Sequence, residues 1–493
     1  MLSLLAASQL AVGIVNWFAM RLVTPHALPR MDYSAGIPAS ARTLVVVPTM
    51  ITSARSVEEL VEALEVRFLA NRDAHVHFAL LTDFPDAHEE SLPTDEPLLQ
   101  LAEARINALN HKYGPGANPA ALAGESDNQA DAGTPPGNVF FLLHRPRLWS
   151  ADACMWMGQE RKRGKLADLN ALLRGGRRDG FSLIVGETAI LPEIKYVITL
   201  DTDTQLPRDA ARQFVSAMAH PLNAACFGRH ANDADREVVT SGHGILQPRV
   251  SVSLPCTNRS LYARLCGGEA GVDQYTRTVS DVYQDVFDEG SFIGKGIYDV
   301  DAFERVLKGR FPANAILSHD LLEGCYARSG LLSDAELQEE HPVRYSADVA
   351  RRRRWIRGDW QLAGWLRRRV RGPDGRREPN PLSMLSQWKL FDNLRRSLVP
   401  TSLTLLLLLG WTVLAPAWLW TEMVIGILLA PSIIAALSDL VDKPDDLRFR
   451  QHLAAVETAA RRHAWQALLA LAFLPYETYF CLDAIARTLG RTL

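Results

Sequence analysis

Two apolar runs near the C-terminus, Leu398 to Trp420 and Met423 to Leu440, constrain this chain more than any other feature. Each is about long enough to cross the ~30 Å of hydrocarbon in a bilayer. Lipid offers the backbone no hydrogen-bond partners, so such runs fold as helices, and a link this short makes them an antiparallel hairpin over 398–440. Trp411, Trp418 and Trp420 fall near the expected interface. A third run, Leu2 to Val23, is interrupted only by Ser3, Ser8, Gln9, Asn16 and Arg21. It lacks a basic leader and a small-residue cleavage site, which favours a retained membrane helix over 1–25. Gln9 and Asn16 leave an interfacial helix as the alternative. A last apolar segment within 464–488 contains Pro475, Glu477 and Asp483 and reads as a span, a kinked helix or a re-entrant one.

Charge orients these runs. Arg21 and Arg30 follow the first, and Lys443, Arg448, Arg450, Arg461 and Arg462 follow the hairpin, so the positive-inside rule puts the segment after the first run and the loop after the hairpin in the cytosol. Met384 to Ser397 mixes Trp388, Leu390, Phe391 and Leu394 with Lys389, Arg395 and Arg396, as suits a helix at the membrane surface over 384–397. The formal net charge of −3 gives no global preference for nucleic acid. Arginine instead crowds into Arg351 to Arg354 and Arg367 to Arg377. Six scattered cysteines with no Cys-x-x-Cys indicate neither a zinc site nor a disulfide framework.

Between the membrane runs, over about 40–380, strands alternate with helices. Thr43 to Thr49 reads as a buried strand ended by proline, Val57 to Ala70 as an amphipathic helix and His77 to Asp83 as a second strand. Val139 to Leu143, Tyr196 to Leu200 and Val238 to Val250 read as further strands, and Asp209 to Met218 as a helix. Such alternation implies an α/β domain with a mostly parallel sheet and helices on both faces. The span 114–137, dense in Gly, Pro, Ala, Asn, Asp and Ser, reads as a flexible surface insertion.

Open α/β sheets place their ligands beyond the C-terminal ends of their strands. Tyr196-Val-Ile-Thr-Leu200 delivers Asp201 and Asp203 there. Residues two apart on an extended backbone point the same way, so both carboxylates can face one hard cation whose other ligands are a diphosphate. The plain alternative for Asp-x-Asp is a turn or a helix cap. Asp83 ends a second strand, Asp320 stands at an expected helix start, and Arg351 to Trp355 follows. A nucleotide-sugar transferase needs this set: an acceptor for a nucleobase N–H (Asp83), a metal-bound diphosphate (Asp201, Asp203), a base for the incoming hydroxyl (Asp320), and cations for the leaving group. The arginines suit a diphosphate and Trp355 a sugar face, or else they form a solvated basic helix. Lys165 is a phosphate contact or a surface lysine, and His319 a metal ligand or a packing residue. Glu323 is a substitute base or a cap, and Gly294-Lys-Gly296 a close approach to sugar or a tight turn.

Together, Asp83, Asp201-Thr-Asp203, Asp320 and Arg351-x-x-Arg354-Trp355 resemble the D, DxD, D, (Q/R)xxRW pattern of processive membrane glycosyltransferases with a GT-A-like fold. Lys165-Leu-Ala-Asp-Leu-Asn170 is similar to their KAGALN-type segment, and Gln247-Pro-Arg249 to their acceptor-side QTPQ-type segment. The wording Trp156 to Lys165, Thr199 to Gln205 and Leu317 to Gly324 most resembles the transferase region of cyclic β-1,2-glucan synthases, over about 5–490. The resemblance implies UDP-glucose as donor, inversion, a divalent metal (Mg2+ or Mn2+), a growing β-1,2-glucan and a bacterial inner-membrane setting with the catalytic domain cytosolic. It implies donor contacts at Asp83, Lys165, Asp201, Arg351 and Arg354, acceptor contacts at Gln247 and Trp355, metal contacts at Asp203 and His319, and Asp320 as base. Members begin their chain on a tyrosine of their own, for which Tyr113 beside the insertion is the candidate. They also carry a phosphorylase-like domain that these 493 residues lack, so cyclisation is not assigned to this chain, which reads as part of a longer one. His319 replaces the glutamate of the commoner Thr-Glu-Asp form. A synthase of another linkage, or a UDP-sugar-binding membrane subunit without turnover, is the alternative. A transporter fits poorly, because few spans accompany a large soluble domain.

Overall fold

The computed structural model describes every residue except 25, 115–138, 152, 177, 231–232, 268–280, 314, 317, 442–447 and 493. The expected insertion at 114–137 therefore lies outside the described residues from 115 onward, as does Lys443. Eight strands form the central sheet: β1 (Thr43–Met50), β2 (Val76–Asp83), β3 (Phe140–His144), β4 (Leu183–Val185), β5 (Tyr196–Thr199), β6 (Ile245–Val252), β7 (Gly296–Asp299) and β8 (Ser329–Glu339). Their order is β8-β6-β7-β5-β1-β2-β3-β4, with β4 and β7 antiparallel to the other six. The sheet is thus mostly parallel, as the alternation implied.

Strand residues alternate between two apolar layers. Val45, Val47, Phe78, Leu80 and Ile198 pack beneath α2 (Ala54–Ala70), α3 (Asp95–Tyr113) and α5 (Ala210–Met218). Leu44, Val46, Ala79, Leu81 and Val197 face α4 (Arg161–Leu173), α6 (Val300–Leu307) and α7 (Asp320–Tyr326). Helix α2 begins at Ser53, whose side chain accepts from the Ser56 backbone N–H while Ser56 returns the bond, a reciprocal cap.

Two expectations on the sheet need correction. Pro48 does not end its strand; β1 runs on to Met50 beside β2. The missing N–H is tolerated because β5 pairs with β1 only as far as Val46, so Pro48 sits at a local edge. The single strand expected over Val238 to Val250 is two, Asp233–Ser241 and β6. They part at Gly242, whose φ of +66° is a left-handed turn conformation.

The apolar runs form α1 (Leu2–Leu22), α9 (Met384–Thr412), α10 (Ala417–Val441) and α11 (Phe449–Thr492), while α8 (Tyr345–Gln361) carries the arginine motif. Among the described residues, three helices are long and apolar enough to cross a membrane, with windows at Leu2–Ala19, Ala417–Ile434 and within Phe449–Arg491. Ala6, Leu403, Leu406, Val424 and Leu474 meet where α1, α9, α10 and α11 pack. The hairpin turn comes earlier than expected: α9 stops at Thr412, and Pro416, which cannot continue it, precedes α10. No break separates 384–397 from the apolar run beyond; α9 is continuous through both.

Ser8, Gln9, Glu477 and Asp483, polar residues that look misplaced in apolar helices, are paired with protein. Arg395 donates to Ser8 Oγ (2.6 Å) and Gln9 Oε1 (2.8 Å) on α1, and to Asp392 on its own helix. Glu477 on α11 accepts from Arg352 Nη2 (2.6 Å), and Asp483 pairs with Arg353, fastening α11 to α8.

Candidate active site

The C-terminal edge of the parallel strands gathers most of the residues singled out by the motifs. Register sets Met50 at the end of β1 against Asp83 at the end of β2, and β5 delivers Asp201 alongside. Asp83 is buried, at 2% exposure, so its charge requires partners. Lys165 Nζ stands 2.7 Å from Asp83 Oδ1 and donates to the Thr49 carbonyl, and Arg145 lies 3.5 Å from Oδ2. Burial lowers the Lys165 ammonium below its ordinary value against the pull of Asp83. Gly158 packs directly against Asp83: a Cβ there would lie 2.0 Å from Asp83 Oδ2.

Asp201 is held by two ammonium groups that sequence reasoning left without a role. Lys162 Nζ donates to Asp201 Oδ1 (2.6 Å) and to the Gly294 carbonyl (2.7 Å), and Lys295 Nζ lies 3.2 Å from Oδ2 while pairing with Glu339. Burial pushes the Asp201 carboxyl up, but the two lysines outweigh it and hold the group well below the usual carboxylate range. Burial, with Asp201 and Asp203 nearby, raises Glu339. Arg67 of α2 donates to the carbonyls of Thr202 (2.9 Å) and Thr204 (2.8 Å), so a buried guanidinium clamps the turn that carries both aspartates. Burial pulls that guanidinium down to about 10.

Carboxylate oxygens of Asp201, Asp203 and Glu339 come within 4.8 Å of one another, a hard-oxygen donor set that fits a divalent cation. His319, expected beside Asp203, belongs to a different group. At the start of α7 its Nδ1 stands 2.8 Å from Glu323 Oε2 and 3.6 Å from Asp320 Oδ1, because positions 319, 320 and 323 share one helical face. Burial lowers the imidazole, yet Glu323 and Asp320 together raise it above its ordinary value.

Gly294 joins the two halves. With φ at +88° it presents its Cα to Asp320, and a Cβ there would lie 2.6 Å from Asp320 Oδ1; its carbonyl takes Lys162, which also holds Asp201. Gln247, expected on the acceptor side, is fully buried beneath this loop. Its Oε1 accepts from the Ile293 N–H (3.0 Å) and its Nε2 donates to the Pro248 carbonyl (2.8 Å), so it supports the loop and faces no open surface.

On α8, Gly358 packs against Ser318, bringing the arginine helix onto the Asp320 loop. The four arginines differ. Arg351 pairs with Asp348 (2.9 Å) and lies 4.8 Å from the Trp355 ring centroid, while Arg352 and Arg353 hold α11. Arg354 is exposed, and among the described residues its side chain makes no hydrogen bond or ion pair. Tyr113 is not the surface tyrosine expected: it is buried, donates to Glu65 (2.6 Å), and lies where Asn110 binds the first residue of β3, at the opposite end of the sheet.

Sequence reasoning missed Lys162, Lys295, Arg67, Arg145 and Glu339. The spacing of Lys162 and Lys165 on one face of α4 was a usable signal; Glu339, at the end of a strand with no motif, offered none.

Comparison with known proteins finds no matching family model. The chain is 40% identical over 491 residues to the cyclic β-(1,2)-glucan synthase NdvB of Rhizobium meliloti (strain 1021), a match covering 99% of this chain and 16% of that protein. The resemblance read from the motifs is thus borne out along nearly the whole chain, which spans about a sixth of the relative's length. Among solved structures, a mannosyltransferase of Pyrobaculum calidifontis, PcManGT, in complex with GDP-Man and Mn2+, is similar at a TM-score of 0.42 and 16% identity, over 95% of this chain and 99% of that one.

Proposed function

We propose that the chain is a membrane-bound, inverting glucosyltransferase that elongates a β-1,2-glucan from UDP-glucose, with its catalytic domain on the cytosolic side of a bacterial inner membrane. The observation that carries the reading is the junction at Gly294, where Lys162 joins Asp201 to the loop and Asp320 stands against the same glycine. The nucleotide-sugar diphosphate and the acceptor hydroxyl then meet between two carboxylates with separate tasks. Sequence identity to a cyclic β-(1,2)-glucan synthase supports the choice of sugar and linkage.

Asp320 takes the proton from the acceptor 2-hydroxyl, whose oxygen attacks the anomeric carbon as the bond to the diphosphate breaks on the opposite face; UDP leaves and the new linkage is inverted. Asp83, with Lys165 and Arg145, forms the uridine end. Arg354, the arginine without a partner among the described residues, meets the charge that develops on the leaving diphosphate, and Trp355, with Arg351 over its ring, offers the acceptor sugar a stacking face. Asp201, Asp203 and Glu339 would hold a divalent cation, Mg2+ or Mn2+, which when bound neutralises the diphosphate.

The test is incorporation of labelled glucose from UDP-glucose by purified membranes, followed by linkage analysis. Asp320→Asn is expected to cut turnover by roughly 10²–10⁴-fold while UDP binding persists. A folded Asp320→Asn chain that still incorporates glucose at the original rate removes the assigned base, and a product without 1,2-linkages removes the substrate reading.

A further inference from the structure

The arginines between Arg367 and Arg377 have no part in the chemistry above, yet they form a distinct surface. Arg369–Arg371 and Arg377–Pro379 pair as an antiparallel hairpin, with Arg371 directly opposite Arg377 and Val370 opposite Glu378. Val370 is buried in the apolar layer, so strand alternation sends Arg369, Arg371 and Arg377 to the outer face. Like charges directly across a ladder repel. Arg367, Arg368 and Arg376 are exposed beside them, and among the described residues none of these six side chains makes a hydrogen bond or ion pair. A folded chain keeps such a cluster at a cost unless an external anion meets it.

The helix that follows indicates where that anion lies. Along 384–397 the exposed residues of α9 are Met384, Trp388 and Phe391, one apolar stripe at i, i+4 and i+7, while Lys389, Asp392 and Arg395 are buried in ion pairs. This is the reverse of a water-facing helix and the pattern of one turned to an apolar medium. The same helix continues into the apolar run that ends at Thr412.

We propose that the hairpin 369–379 is a docking surface for anionic phospholipid headgroups, held at the bilayer by the Met384, Trp388 and Phe391 stripe. The proposal rests on the surface placement of 384–397 and is independent of the transferase chemistry. Each arginine close to an anionic leaflet contributes roughly fivefold to association.

The experiment uses the full chain in nanodiscs of phosphatidylcholine with or without phosphatidylglycerol. It reads amide hydrogen exchange over 367–379, together with photocrosslinking into lipid from a label at position 388. Phosphatidylglycerol is expected to slow exchange in the hairpin several-fold. The triple substitution R369Q/R371Q/R377Q abolishes that slowing, and the corresponding Arg→Lys set keeps it, which separates charge from packing. Equal exchange in both discs with crosslinking intact overturns the headgroup site and leaves the surface helix standing. Absence of crosslinking overturns both. Slowing by soluble polyphosphate but not by phosphatidylglycerol also overturns it, in favour of a soluble polyanion.

Discussion

Two residues carry the most exposed consequences of the site. Gly294 is held at a positive φ with Asp320 inside the space a side chain would take. Gly294→Ala therefore meets both backbone strain and a clash, and is expected to cost roughly 1–3 kcal/mol and to displace Asp320. Thermal unfolding and glucose incorporation would both fall, whereas Gly175→Ala, also at positive φ but facing open space, would affect only the first. His319 is the second case. Its folded pKa is raised by Glu323 and Asp320, so the charged form is favoured in the native state. The resulting stabilisation is complete below the unfolded value of about 6.5 and fades as pH rises through the higher folded value. The difference in unfolding temperature between the parent chain and His319→Gln should accordingly shrink from pH 6 toward alkaline pH; a gap that widens with pH contradicts the assignment. The sequence showed the aspartates because each ends a strand or opens a helix, positions with local signatures. It did not show Lys295 or Glu339, whose meaning depends on the antiparallel β7 and the distant β8 being brought to β5, a pairing that no local pattern encodes.

At the scale of elements, the buried ion pairs decide how the membrane helices seat. Arg395 satisfies Asp392 on its own helix and Ser8 and Gln9 on α1. Arg395→Met leaves Ser8 and Gln9 without their donor while Arg396 still pairs with Asp392, so it should destabilise by roughly 1–3 kcal/mol, read as a lower unfolding temperature in detergent. Gln9→Leu removes a polar group that lipid disfavours along with the bond, and its effect should be much smaller. Hydropathy made the apolar runs legible but misplaced the hairpin turn, because the run of apolar letters continues across Val413 to Trp420 while Pro416 interrupts the helix. Glu477 and Asp483, which made the last segment ambiguous, face arginines of α8, a helix more than a hundred residues earlier.

For the whole molecule, the sheet places three carboxylates at one edge, with Lys162, Lys295 and Arg67 beside them, an oxygen donor set that a divalent cation fits. A divalent cation that binds only the folded form stabilises by mass action, about 2.7 kcal/mol at a hundredfold excess over its dissociation constant. Mn2+ or Mg2+ should therefore raise the unfolding temperature of the intact chain, and Asp203→Asn should abolish most of that rise without lowering the cation-free value. The α/β class and the parallel sheet were legible because alternation is a chain-wide pattern. The division of the acidic residues into one group at Asp203 and another at His319 was not, since it depends on which side of the Gly294 loop each side chain approaches.

The bond from Arg395 to Gln9 joins positions 386 residues apart. A ribosome adding roughly 5–20 residues per second needs about 20–80 s to cover that distance. During that interval the first helix exists without the guanidinium that its glutamine and serine are waiting for. Helix α1 is thus born incomplete, and the delay between its synthesis and its pairing is a period of vulnerability written into the order of the chain.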